Sequence, residues 1–145
     1  MRTLVRSVGR PSIGGEPLPS CFKAFESNKI VLRRSEVSMF AAAPGVGKST
    51  LALALALKMK VPTLYISADT NAHTMAMRLA SMISGKNQTD VEQLLNSDLG
   101  WTRAVLAKAS HIVWSFESAP SLQDIDEEVQ AFEELWGCSP QLIVV

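Results

Sequence analysis

Cysteine is scarce in this chain: Cys21 and Cys138 are the only two in 145 residues. They show neither CxxC spacing nor a histidine at metal-ligand distance, so a disulfide scaffold and a zinc motif are both excluded. A dominant charge is also missing, because 14 Lys and Arg balance 14 Asp and Glu. No net positive field collects nucleic acid over the whole surface, and any such contact has to be local. Long apolar runs are absent as well. No stretch reaches the about 18 residues that a membrane span requires, and Met1 to Ser7 lacks a signal-peptide core, which points to the cytoplasm. What remains, 47% hydrophobic and 19% charged residues, is the composition of one ordinary globular domain.

The chemistry is concentrated near one third of the way along. Residues 42–50 read Ala-Ala-Pro-Gly-Val-Gly-Lys-Ser-Thr, between the apolar segment Val37–Ala41 and the Ala/Leu run Leu51–Leu57. Gly45 and Gly47 allow a tight turn whose N–H groups point inward, and the next helix, which begins inside the motif, offers its positive end to the same anion. In such a loop Ala43, Pro44, Gly45, Val46, Gly47, Lys48, Ser49 and Thr50 surround the phosphates of ATP. Lys48 reaches the β- and γ-phosphates and Ser49 ligates Mg²⁺. The first position of the GxxxxGK[ST] pattern is Ala42 here. That position starts the turn without close approach to phosphate, so a small residue serves.

The flanking elements alternate. Residues 1–20, with Gly9, Pro11, Gly14, Gly15, Pro17 and Pro19, read as a flexible leader. Phe22 to Phe25 suggests a helical turn, Arg33 and Arg34 a solvated loop pair, and Val37–Ala41 a strand. Leu51–Leu57 alternates like a strand, but Ala and Leu are the best helix formers, and a buried helix is expected. Pro62 ends it, and Thr63–Ser67 is rich in strand formers. Met75, Leu79, Met82 and Ile83 recur at helical spacing up to Gly85. Thr89-Asp90-Val91-Glu92 has the capping-box pattern for a further short helix, and another helix is expected from about Leu99 to Ala109. Ile112–Phe116 reads as a strand, Ser121 caps a helix ending at Gly137, and Leu142–Val145 reads as a strand covered on both faces. Strands alternating with helices imply an α/β fold with a mostly parallel sheet flanked by helices.

The order of these motifs resembles the RecA-like P-loop ATPases, and most closely the DnaB-type replicative helicases and their phage counterparts, over about residues 20–145. Phe22-Lys23-Ala24-Phe25 resembles the lead-in of that family. Tyr65-Ile66-Ser67-Ala68-Asp69-Thr70 followed by Met75–Ser81 resembles its second strand and helix. The resemblance makes Asp69 the acid that polarises the attacking water, where the family usually carries Glu, one methylene longer. The reading of Asp69 from local sequence alone is an N-cap for the helix that follows. By the same resemblance Leu142–Val145 is the strand that precedes the Mg²⁺-organising Walker B aspartate, so residues 21–145 form a partial domain that ends just before it. The strand that lies between Walker B and the phosphate-loop strand in the family would then be missing, which implies a gap in the sheet and exposed edges. The implied partners are ATP with Mg²⁺, single-stranded DNA, and further copies of the chain in a hexamer.

Two other readings stay open: a RecA-like ATPase of recombination-mediator or clock-protein type, and an inactive nucleotide-binding or interaction fragment. The remaining polar residues point to structure. His73 and His111 have no nucleophile or metal partner nearby in sequence, Trp101, Trp114 and Trp136 are widely separated, and the acidic run Asp124–Glu128 is a solvated helix start favoured by the helix dipole.

Overall fold

The computed structural model describes residues 15–145, so the expected leader falls largely outside the described residues. Two compact units divide at Ala42/Ala43. In the first, Pro17 and Arg33 form an antiparallel bridge, and Leu18 N–H donates to Leu32 O at 2.8 Å. Leu18 is buried, so residues 15–20 are pinned where a free leader was expected. Arg33 and Arg34 do the pinning: Arg33 Nη1 donates to Gly15 O at 3.3 Å, and Arg34 pairs with Glu16 at 3.2 Å. They brace this hairpin-like loop and are not a solvated pair. Helix α1 (Lys23–Ser27) takes the place of the expected turn, and Phe25 stacks with Phe40 at 6.3 Å.

Val37–Ala41 forms no strand. Val37 and Met39 are almost fully exposed, at 99% and 89%. Apolar residues alone do not make a strand, because its N–H and C=O groups need a ladder partner, and none pairs with this segment among the described residues.

The second unit is built on a three-stranded parallel sheet in the order β2 (Ile112–Ser115), β1 (Thr63–Ile66), β3 (Leu142–Val144). Central β1 is buried at all four positions, because both faces are covered. Tyr65 faces the cluster of Leu53 and Ala56 from α2 (Lys48–Met59) and Met75 and Leu79 from α3 (Ala72–Ser84). Leu64 and Ile66 face Phe132 of α6 (Leu122–Trp136) on the other side. Helices α3, α4 (Gln88–Ser97) and α5 (Leu99–Leu106) make a separate cluster around Ala80, Val91 and Val105, and α5 continues into a 3₁₀ turn at Ala107–Ala109.

Caps decide several boundaries. Ser121 and Asp124 exchange hydrogen bonds in the expected capping box, and the two bonds from Ser121 hold the Asp124 carboxyl below its ordinary pKa. The cap of α4 is Asn87, which accepts from Asp90 N–H at 2.8 Å, so the helix begins before Thr89 and the expected box there does not form. Likewise Asn71, not Asp69, caps α3 by accepting from Thr74 N–H at 2.9 Å. β3 also departs from expectation. Ile143 is 43% exposed and Val145 72%, so the face shared with Leu64 is incompletely covered. No helix among the described residues is long and apolar enough to cross a membrane.

Candidate phosphate site

Helix α2 ends at Met59, three residues after Ala56, whose carbonyl lies 3.0 Å from Nε2 of His111 at the start of β2. The helix therefore runs antiparallel to the strands, with its N-terminus at their C-terminal edge. That edge is where open parallel sheets bind ligands. His111 thus has a structural role, as its sequence context suggested.

The loop has the geometry the motif requires. Gly45 has φ +80° and Gly47 φ +98°, values that L side chains rarely adopt, and Gly47 is the N-cap of α2. A glycine cap has no side chain to occupy the first-turn N–H groups, so they stay available to an anion. Lys48 Nζ donates to Ala43 O at 3.2 Å, so the ammonium spans the loop that it opens. Val46 N–H reaches back to the same carbonyl at 3.4 Å. Residues 43–50 are all exposed. A positive helix end, two positive-φ glycines and an exposed lysine are features that suit the phosphates of a nucleotide, and Ser49 stands in the first turn of α2 at the position where the motif carries its Mg²⁺ ligand.

Asp69 lies on the link between β1 and α3, at the same edge. Ser67 Oγ donates to Thr70 O at 3.1 Å, and Thr70 Oγ1 donates to Asp69 Oδ1 at 3.0 Å. With Asn71 serving as the cap, the exposed Asp69 carboxylate is left facing solvent. Ser67 and Thr70, which steady this link, were not legible as site residues in the sequence, because no residue-type pattern marks a turn-bracing hydroxyl.

A cleft of about 380 Å³ opens at the ends of β1 and β2 on the α6 face, lined by Ile66, Ser115, Glu117, Asp124, Glu127 and Glu128 among others. Ser115 Oγ donates to Glu128 Oε1 at 2.7 Å. Its wall is carboxylate without a cation, which repels phosphate. Of the tryptophans, Trp101 and Trp114 pack against cores and Trp136 stacks on Phe132 at 5.5 Å, none as an isolated platform. No group of three or more potential metal ligands occurs among the described residues.

Comparison with known proteins agrees with this geometry. The family model described as "AAA domain" matches residues 28–145. The chain is similar to the Gene 65 protein of Mycobacterium phage L5, 36% identical over 132 residues, covering 90% of this chain and 49% of that protein. It is also 36% identical over 113 residues to the Gene 65 protein of Mycobacterium phage D29, covering 72% and 45%. The chain thus spans about half the length of the curated relatives it matches. A glycine-rich loop opening an uncapped helix at the edge of a parallel sheet, inside a match that spans most of the sequence, places this chain in the AAA-domain family of RecA-like P-loop ATPases.

Proposed function

We propose that this chain carries the ATP-binding part of a DnaB-type DNA helicase motor acting in DNA replication in the cytoplasm, as part of a homo-oligomeric ring. One observation carries the nucleotide reading: the left-handed Gly45 and Gly47 beneath the uncapped first turn of α2. The helicase reading is supported by the order Tyr65–Thr70 then Met75–Ser81, which falls on β1, its exit and α3.

In this reading Lys48 exchanges the Ala43 carbonyl for phosphate oxygens, and the backbone N–H groups of the loop fix the triphosphate in line. Ser49 would hold Mg²⁺, which would supply charge neutralisation to the phosphates. Asp69 accepts a hydrogen bond from the attacking water and orients it towards the γ-phosphorus. Because Asp is shorter than Glu, the water has to sit closer to the end of β1.

Replacing Lys48 by Ala tests the reading. It removes a charge-assisted contact worth about 1.5–3 kcal/mol, or roughly ten- to a hundredfold in affinity for a fluorescent ATP analogue. Unchanged affinity in a folded variant refutes the site. Phosphate release stimulated by single-stranded DNA is the further expectation, and nucleotide binding without any turnover would instead assign a binding module.

A further inference from the structure

The Thr70 hydroxyl makes a contact that neither the sheet nor the helix beside it requires. Ser67, buried at 4% exposure, ties the exit of β1 to the sheet, because its N–H donates to Ser115 O at 2.9 Å. Its Oγ then reaches forward to the backbone carbonyl of Thr70 at 3.1 Å and draws residues 67–70 into a bend. On the far side Asn71 caps α3 by accepting from Thr74 N–H at 2.9 Å. The bend and the helix start are thus satisfied through Ser67 and Asn71, and neither uses the Thr70 side chain. That hydroxyl donates instead to Asp69 Oδ1 at 3.0 Å.

An exposed carboxylate moves among staggered rotamers, whereas an acid that orients a water has to stay within hydrogen-bond reach of it. Asp69 is one methylene shorter than Glu, so its side chain has less reach with which to correct a misplacement, and misplacements of about 1 Å are costly in such chemistry. Thr70 supplies the missing stiffness. Its β-branch restricts χ1, its carbonyl is fixed by Ser67, and it is itself half-buried beside the exposed acid. With Oδ1 engaged and no other hydrogen bond to this carboxylate among the described residues, Oδ2 is the oxygen left to accept from water.

We propose that Thr70 is a positioning residue for ATP hydrolysis, whose hydroxyl pins Oδ1 of Asp69 and so presents Oδ2 to the attacking water. The inference rests on the reading of Asp69 as the acid that polarises that water. Thr70 acts through Asp69, and its contribution is to orientation and not to nucleotide binding.

The test compares two variants. Thr70→Val keeps the branched shape and the carbonyl bound by Ser67 but removes the hydroxyl, and Thr70→Ser keeps the hydroxyl. Three-bond Hα–Hβ couplings of Asp69 in the isotope-labelled full chain should report one staggered rotamer in the unmutated protein and in Thr70→Ser, and an average over rotamers in Thr70→Val. Single-turnover phosphate release from ATP should slow by roughly three- to tenfold in Thr70→Val, the worth of one net hydrogen bond, and recover in Thr70→Ser. ATP affinity and melting temperature should stay unchanged in both, which a merely structural role would not give. Averaged Asp69 couplings in the unmutated chain, or release at the full rate by Thr70→Val, overturn the proposal. Failure of the reading beneath it is a separate result: no release by the unmutated protein, or release at the full rate by Asp69→Asn, removes Asp69 from the reaction even where the couplings show Thr70 holding it.

Discussion

Replacing Gly47 with alanine separates backbone strain from steric fit at the phosphate site. A Cβ built at Gly47 meets only Thr50 Cβ, at 3.9 Å, so the space is open. The obstacle is the dihedral, φ +98° with ψ +26°, where an L side chain crowds its own backbone. That strain costs about 1–2 kcal/mol. The loop can respond in two ways. If it keeps its shape, stability falls by this amount and the melting temperature drops by about 3–8 °C. If it relaxes, α2 loses its anion-binding entry and nucleotide affinity falls by about 5- to 30-fold. Thermal melts with and without ATP, together with an affinity titration, read both responses, and the two losses should sum to the strain. Gly137→Ala is the control. It also has positive φ (+66°) and open space, but at the C-cap of α6, so it should lower stability and leave nucleotide affinity untouched. Gly47→Ala with both melting temperature and affinity unchanged would refute the argument that this glycine is required by its dihedral.

Three further outcomes are expected. Phe132→Ala should cost about 3–5 kcal/mol, because the ring is 1% exposed between Leu64 and Ile66 and stacks on Trp136; a chemical-denaturation midpoint that barely moves would contradict it. Tyr65 is the only tyrosine, so phenolate absorbance reads it directly. Burial should place its midpoint above the value of about 10 found after urea unfolding, so the stability it contributes is fully present below that pH and is lost as pH rises through the folded pKa; a native midpoint at or below the unfolded one would be the contrary result. Asn71→Ala should cost about 1 kcal/mol as a lost cap, whereas Asp69→Asn should leave the melting temperature nearly unchanged and lower ATP turnover; the reverse pattern would return the cap to Asp69.

Local residue chemistry was enough to read much of this molecule. The helices at Lys48–Met59, Ala72–Ser84 and Leu122–Trp136, the three strands and the phosphate loop follow from propensity, periodicity, Pro62, Gly85, Gly137 and the Ser121 box, all of which act within a few residues. Lys48 and the two loop glycines were legible for the same reason, since tight anion binding demands those residue types in that order. Tertiary structure decided whatever depends on a partner distant in sequence. Val37–Ala41 has strand composition but no ladder partner, and β3 has core composition but an open face. Arg33 and Arg34 are braces because Gly15 and Glu16, 18 residues away, come back to meet them. At Asp69 and Thr89 two capping residues competed within a few positions, and the helix started where Asn71 and Asn87 could reach an N–H three residues on. The packing of Tyr65 against Met75 and Leu79 arises only when α3 folds back over β1, because burial exists only once a helix has something to pack against.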